Sequence, residues 1–332
     1  VVTDPEGYAV YEGPAAGDTI EIEGIQPWSH AAPVLYHAVL TLRDADGVLQ
    51  EVVPYDIGFR RFEMINGVMC LNGERVVFNG VNRHEWNADR GRAIGADDMH
   101  AAMAVFKKNN INAVRTCHYP DQSLWYDLCD RNGIYMIDET NLESHGSWQK
   151  LGAVEPSWNV PGSLPEWKDC VVDRARSMFE RDKNHAAVLI WSCGNESYAG
   201  EDILAMSQFF HDHDPGRLVH YEGVFHCRAF DAISDMESRM YAKPWEIREY
   251  LESHPKKPFI LCEYMHDMGN SLGGMESYVR LADEFDQYQG GFIWDYMDQA
   301  LRHTDALGRS VLGYGGDFAD RNTDYNFSGN GI

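Results

Sequence analysis

Two glutamates stand where long apolar runs break off. Glu196 follows LIWSCGN and Glu263 follows FILC, so each carboxylate emerges at the end of a run built like a buried strand. Burying either one uncompensated would be costly. A single glutamate in such a place could anchor an ion pair with an Arg or Lys from another loop. Two of them, on separate runs and with no basic neighbour in either motif, point instead to a chemical pair. Carboxylates facing one another across an opening are what glycoside hydrolysis needs: one protonates the leaving oxygen and the other attacks the anomeric carbon.

Other polar residues gather in similar places. Glu143 and His145 are two apart and project to the same side of an extended loop. With Glu196 they would offer two carboxylates and one imidazole, a set that with added waters suits Mg²⁺ or Mn²⁺ better than a structural zinc. Alone, E-x-H reads as a solvated loop, and a metalloprotein with unrelated hydrolytic chemistry would rest on these two residues only and would have to work without Glu263. His84 and His118 each follow an apolar run, where a neutral imidazole can donate to a sugar hydroxyl or sit bonded to backbone in the core. Trp294 offers an apolar face to the C–H side of a pyranose. Trp191 lies mid-run and reads as core or wall.

The elements that would carry these residues are short apolar runs separated by amphipathic helices. Eight strands are predicted, at 76–82, 112–117, 134–138, 187–193, 218–222, 232–237, 259–264 and 291–296. Between the first two, Met99, Ala102, Met103 and Phe106 recur at helical spacing with Asp97 available as a cap. Between the third and fourth, Val171, Ala175, Met178 and Phe179 do the same. Eight such units predict a TIM (β/α)8 barrel over residues 59–332, lacking its last helix, and no G-x-G-x-x-G turn suggests an open nucleotide-binding sheet. In a barrel the chemistry lies at the C-terminal strand ends, which is where these polar residues fall. Residues 1–58 read as β structure, with alternation at 19–23, a strand at 35–42 and a turn at 44–47, and are expected to be part of a small sandwich.

Composition narrows the partners. The 332 residues carry 52 acidic and 28 basic side chains, a formal charge of −24 that repels nucleic acid and anionic membranes and favours a neutral or cationic substrate. No window is apolar enough to span a bilayer, and the start VVTDPEGYAV has neither a basic leader nor an apolar stretch, so a cytoplasmic location is expected. The seven cysteines include no C-x-x-C pair and are expected to be reduced and buried.

The strings VNRHEW (81–86), AVRTCHYP (113–120), DETNLESHG (138–146), RDKNHAAVLIWSCGNES (181–197), ILCEYMHDMGNSLGG (260–274), GGFIWDYMDQ (290–299) and YGGDF (314–318) together resemble glycoside hydrolase family 2, closest to its large bacterial β-galactosidases. The first 57 or so residues resemble the latter part of the immunoglobulin-like β-sandwich that precedes the barrel in that family. The resemblance implies a retaining enzyme acting on a terminal β-D-galactoside, with Glu196 as acid/base and Glu263 as nucleophile. It implies Glu143, His145 and Glu196 as ligands of Mg²⁺, and His84, His118, Asn195, Tyr241, His266 and Trp294 as the walls of the galactose subsite. It further implies Phe327 and Asn330 as ligands of a Na⁺ near the sugar 6-hydroxyl.

Full chains of the family are longer. They supply a carboxylate to the sodium site from an earlier domain and an aromatic platform from a later one, so further domains are expected as partners and this chain alone is expected to turn over weakly. The open edges of an incomplete sandwich would also invite a homo-oligomer. The Asn-Lys-Gly string of β-glucuronidases does not occur, and a β-mannosidase fits CEYMHDMGNS less well. A carbohydrate-binding fragment without turnover is the alternative of a different class.

Overall fold

The computed structural model describes residues 1–15 and 19–332. Eight parallel strands form its central sheet: Phe78–Arg83, Ala113–Thr116, Tyr135–Glu139, Val188–Ser192, Leu218–His220, Glu237–Met240, Phe259–Tyr264 and Tyr288–Ile293. Their spatial order is five, four, three, two, one, eight, seven, six, so the first strand pairs with the last and the sheet curls into the expected barrel. The second, third, fourth and seventh strands are buried along their whole length, as strands covered on both faces must be. Strands five and six have no ladder between them. Asp235 bridges that seam, its N–H donating to the Val219 carbonyl (2.8 Å) and its Oδ2 accepting from the Val219 N–H (2.7 Å).

The helices Ala96–Lys108 and Pro165–Asp182 bury the faces predicted for them. The first is capped at Gly95 rather than Asp97: Asp98 reaches back to accept the Gly95 N–H at 2.8 Å. Helices Ser123–Asn132, Glu201–His213, Pro244–Glu252 and Met275–Glu284 follow strands two, four, six and seven. After strand five come only the 3₁₀ turns Glu222–Phe225 and Arg228–Ile233, and these displace the sixth strand from the expected 232–237 to Glu237–Met240. The reason is local. Ser234 Oγ accepts the Tyr221 N–H and donates to the Met236 carbonyl, so the stretch before Glu237 is tied to strand five and to itself.

The eighth strand also lies earlier than 291–296, because the chain leaves the sheet at Trp294. There the Asp295 N–H turns to the Asn330 carbonyl (3.0 Å) and the Tyr296 N–H to that of Asn82 (2.9 Å). Beyond it run a hairpin, Leu301–Thr304 with Ser310–Gly313, and a 3₁₀ turn at Tyr325–Ser328. Among the described residues no α-helix follows strand eight.

Ahead of the barrel, Val2–Thr3, Ala9–Tyr11, Tyr36–Arg43 and Leu49–Ile57 form one antiparallel sheet. The alternating stretch 19–23 is not a strand: polar alternation makes a ladder only where a partner strand is in reach. A second small sheet, Phe62–Ile65, Val68–Leu71 and Glu74–Arg75, lies against the start of strand eight. Gln289 joins the two, accepting the Met69 N–H (2.7 Å) and donating to the carbonyls of Met69 (2.8 Å) and Val76 (2.7 Å). Trp28 is fully buried with its indole N–H on the Asp130 carbonyl (2.7 Å), and Arg60 donates to the carbonyls of Ala186 and Val188. Five cysteines are buried, whereas Cys170 is exposed on the outer face of its helix and Cys227 is half-buried; all seven are free thiols. Among the described residues no helix is long and apolar enough to cross a membrane.

Candidate active site

Glu196, Glu263, Glu143, His145, His118, Asn195, Tyr241, His266, Trp294 and Phe327, all singled out from the sequence, line one cleft of about 570 Å³ at the C-terminal ends of the strands. His84 stands one ring back. Its Nδ1 meets the Tyr119 hydroxyl at 3.1 Å, and its edge packs against Trp294 and His118. Asn330 is buried behind the wall, with its carbonyl on Asp295 and its Oδ1 without a partner. Trp191 is barrel wall, stacked flat on Phe210 with ring centroids 5.4 Å apart.

Beneath the cleft sits Arg115, which sequence reasoning passed over. It is fully buried at the middle of strand two, and its guanidinium donates to Glu139 through Nε (2.8 Å) and Nη2 (3.0 Å). Its Nη1 donates to Glu263 Oε1 and to Asn82 Oδ1, both at 2.9 Å, and Nη2 also donates to Asn195 Oδ1 at 2.7 Å. Glu263 therefore has the basic neighbour its own motif lacks, and the Tyr241 hydroxyl donates to its other oxygen at 2.6 Å. These contacts fix the Glu263 carboxyl group in place from two sides. The signal was available: an arginine inside VRTC and a glutamate closing MIDE break apolar runs just as Glu196 and Glu263 do.

Glu196 has the opposite surroundings. Burial, then the charges of Glu263 and Glu143, push its carboxyl up to about 8. The turn that carries it begins at Gly194, where φ is +134° and a Cβ would lie 2.8 Å from the Leu142 carbonyl, so only glycine fits. Asn195, on that turn, donates through Nδ2 to Glu143 Oε2 at 2.5 Å. His145 Nδ1 lies 2.9 Å from Glu196 Oε2. Ligand atoms of Glu143, His145 and Glu196 all fall within 4.8 Å of one another, so this donor set fits a hard divalent cation.

His118 and His84 are neutral imidazoles. Burial, helped by Arg115, takes His118 down to about 3, and burial with the facing His118 does the same to His84. The 2.7 Å contact from His118 Nδ1 to Glu139 Oε1 is thus a hydrogen bond from a neutral ring, leaving Nε2 free of a proton and turned toward Glu263, 4.0 Å away. The Trp294 ring lies parallel to His118 at 5.3 Å.

Residues 62–332 match the family model for the TIM barrel domain of glycosyl hydrolases family 2, and residues 3–60 match a further model of glycosyl hydrolases family 2. The chain belongs to this family. It is 63% identical to a β-galactosidase of Halalkalibacterium halodurans over 92% of its own length and 30% of the relative's. It is 58% identical to a β-galactosidase large subunit of Lactobacillus acidophilus over 94% of its length and 50% of that subunit's. The chain thus spans half or less of these relatives. In fold it resembles the β-glucuronidase of Ruminococcus gnavus, with a TM-score of 0.75 at 21% identity, covering 93% of this chain and 58% of that one.

Proposed function

We propose that this chain is the catalytic barrel of a retaining β-galactosidase. The observation that carries the reading is the pairing of two carboxylates in one cleft with different surroundings: Glu263 accepts hydrogen bonds from Arg115 and the Tyr241 hydroxyl, whereas burial and neighbouring carboxylates push the Glu196 carboxyl up to about 8. A raised proton affinity suits Glu196 to the acid role and leaves the hydrogen-bonded Glu263 as the nucleophile. The relatives named above, as β-galactosidases, support galactose as the sugar. No Lys or Arg lines the cleft among the described residues, which disfavours a sugar carrying a carboxylate.

In the first step a Glu263 oxygen bonds to the anomeric carbon as the bond to the aglycone oxygen breaks. The electron pair leaves on that oxygen, which takes the proton of Glu196. In the second, Glu196 as carboxylate takes a proton from water whose oxygen bonds to the same carbon, releasing Glu263. Two inversions give retention. His118, Asn195, Tyr241, His266 and Trp294 would hold the sugar hydroxyls and its apolar face, with His84 supporting His118 and Trp294 from behind.

Glu143, His145 and Glu196 would hold Mg²⁺ or Mn²⁺. When bound, such an ion supplies positive charge that favours the ionised form of Glu196 in the second step. The unpartnered Oδ1 of buried Asn330 fits an oxygen-seeking cation, and Asn330 with Phe327 would hold Na⁺ beside the sugar. The test is hydrolysis of an aryl β-galactoside followed by NMR of the first anomer formed, with Glu263→Gln as the blank. β-Galactose released first, and none from the blank, supports the reading; α-galactose first, or binding without turnover, contradicts it.

A further inference from the structure

Glu196 occupies a backbone position that residues with side chains rarely take, with φ at +40°. Such a conformation persists only when its surroundings hold it. Here it is held at both ends. Its N–H donates to Glu222 Oε1 at 2.8 Å, and its carbonyl accepts the Trp148 indole N–H at 2.6 Å. The next residue is tied to the same place, the Ser197 N–H donating to the Tyr221 hydroxyl at 3.1 Å.

Glu222 and Tyr221 are neighbours at the end of strand five, a strand that supplies no lining residue to the cleft. Glu222 is 5% exposed, and its environment is crowded: a Cβ on Gly223 would lie 2.7 Å from the Ser197 carbonyl, so the end of strand five lies directly against the GNES turn. A buried carboxyl group whose one hydrogen bond goes to a single backbone N–H of a neighbouring turn does little for the barrel as a whole. It does fix one thing, the direction in which the Glu196 side chain leaves the backbone.

We propose that Glu222 is a positioning residue that holds Glu196 in its left-handed conformation and so aims the acid/base carboxyl at the glycosidic oxygen. The inference rests on the reading of Glu196 as acid/base. Were the N–H released, Glu196 could relax toward the conformations other residues prefer, and its carboxyl would move by an ångström or more. A displacement of that size can cost on the order of 100-fold in rate.

The test separates acid catalysis from general integrity. A 2,4-dinitrophenyl galactoside has a leaving group that departs without a proton, whereas a phenyl galactoside depends on Glu196. Glu222→Leu keeps the bulk and removes the acceptor; Glu222→Met does the same with a more pliable side chain and serves if the leucine variant fails to fold. In either, kcat/KM for the dinitrophenyl substrate should stay within about 3-fold of the parent, while that for the phenyl substrate falls on the order of 10- to 100-fold. Azide, which needs no general base, should restore kcat on the dinitrophenyl substrate and yield galactosyl azide. Glu222→Gln keeps an acceptor and should rescue both substrates. Equal losses on both substrates, or a glutamine variant as impaired as the leucine one, would overturn the inference and leave the catalytic reading standing. A parent protein inactive on both substrates would overturn the two together.

Discussion

Arg115 ties Glu139 and Glu263 together beneath the cleft. It bonds both carboxylates and orients Asn82 and Asn195 as well. Removing one partner of a buried charge network leaves the others uncompensated, typically at about 3–5 kcal/mol. Arg115→Met should therefore lower stability by about that much in urea unfolding. A loss below about 0.5 kcal/mol would mean that Arg115 does not compensate the carboxylates around it. Glu196, on its proposed role as acid, makes a separate prediction. It must be protonated for a poor leaving group to depart, so in metal-free buffer activity on phenyl galactoside should fall as pH rises through about 8. Added Mg²⁺ favours the carboxylate and should move that limb to lower pH. Glu196 and Glu263, the proposed catalytic pair, were legible because they end apolar runs. Arg115 and Glu222 were not, because they lie within or at the close of VRTC and VHYE, where attention to strand ends picks out the following residue instead.

At the scale of elements, hydrophobic runs located seven of the eight strands, since parallel strands buried on both faces read as continuous apolar stretches. What they could not locate was an element whose backbone groups are spent elsewhere. The stretch before Glu237 is apolar enough for a strand, yet Ser234 and Asp235 give its bonds to strand five. Alternation at 19–23 found no partner strand among the described residues. The same reasoning makes Gln289 a strong test of how the small sheet closes the start of the barrel. Its side chain satisfies one backbone N–H and two carbonyls, all buried. Gln289→Leu leaves these unpaired and should destabilise the protein by on the order of 3 kcal/mol, read as a lower urea midpoint at unchanged slope. A shift below about 0.5 kcal/mol would show that the sheet closes independently of this residue.

For the whole molecule the decisive fact is that the chain spans 30% to 50% of the relatives compared above. Near the sugar end of the cleft, Asn330 Oδ1 and Asp295 Oδ1 are buried acceptors without partners, and Phe327 is half exposed. Joining the chain to the flanking segments of the Halalkalibacterium halodurans relative should raise kcat/KM on aryl galactosides by on the order of 100-fold, the worth of a well-placed positioning contact. Equal rates would make the barrel self-sufficient. Beneath all of this lies the assignment of Glu263 as the group that attacks the sugar. Reaction with an activated 2-deoxy-2-fluoro galactoside slows the second step more than the first and accumulates the covalent intermediate. Peptide mapping should then find the fluorosugar on Glu263 alone, and a label on any other residue, or full turnover to an inverted product with no label, would contradict the account.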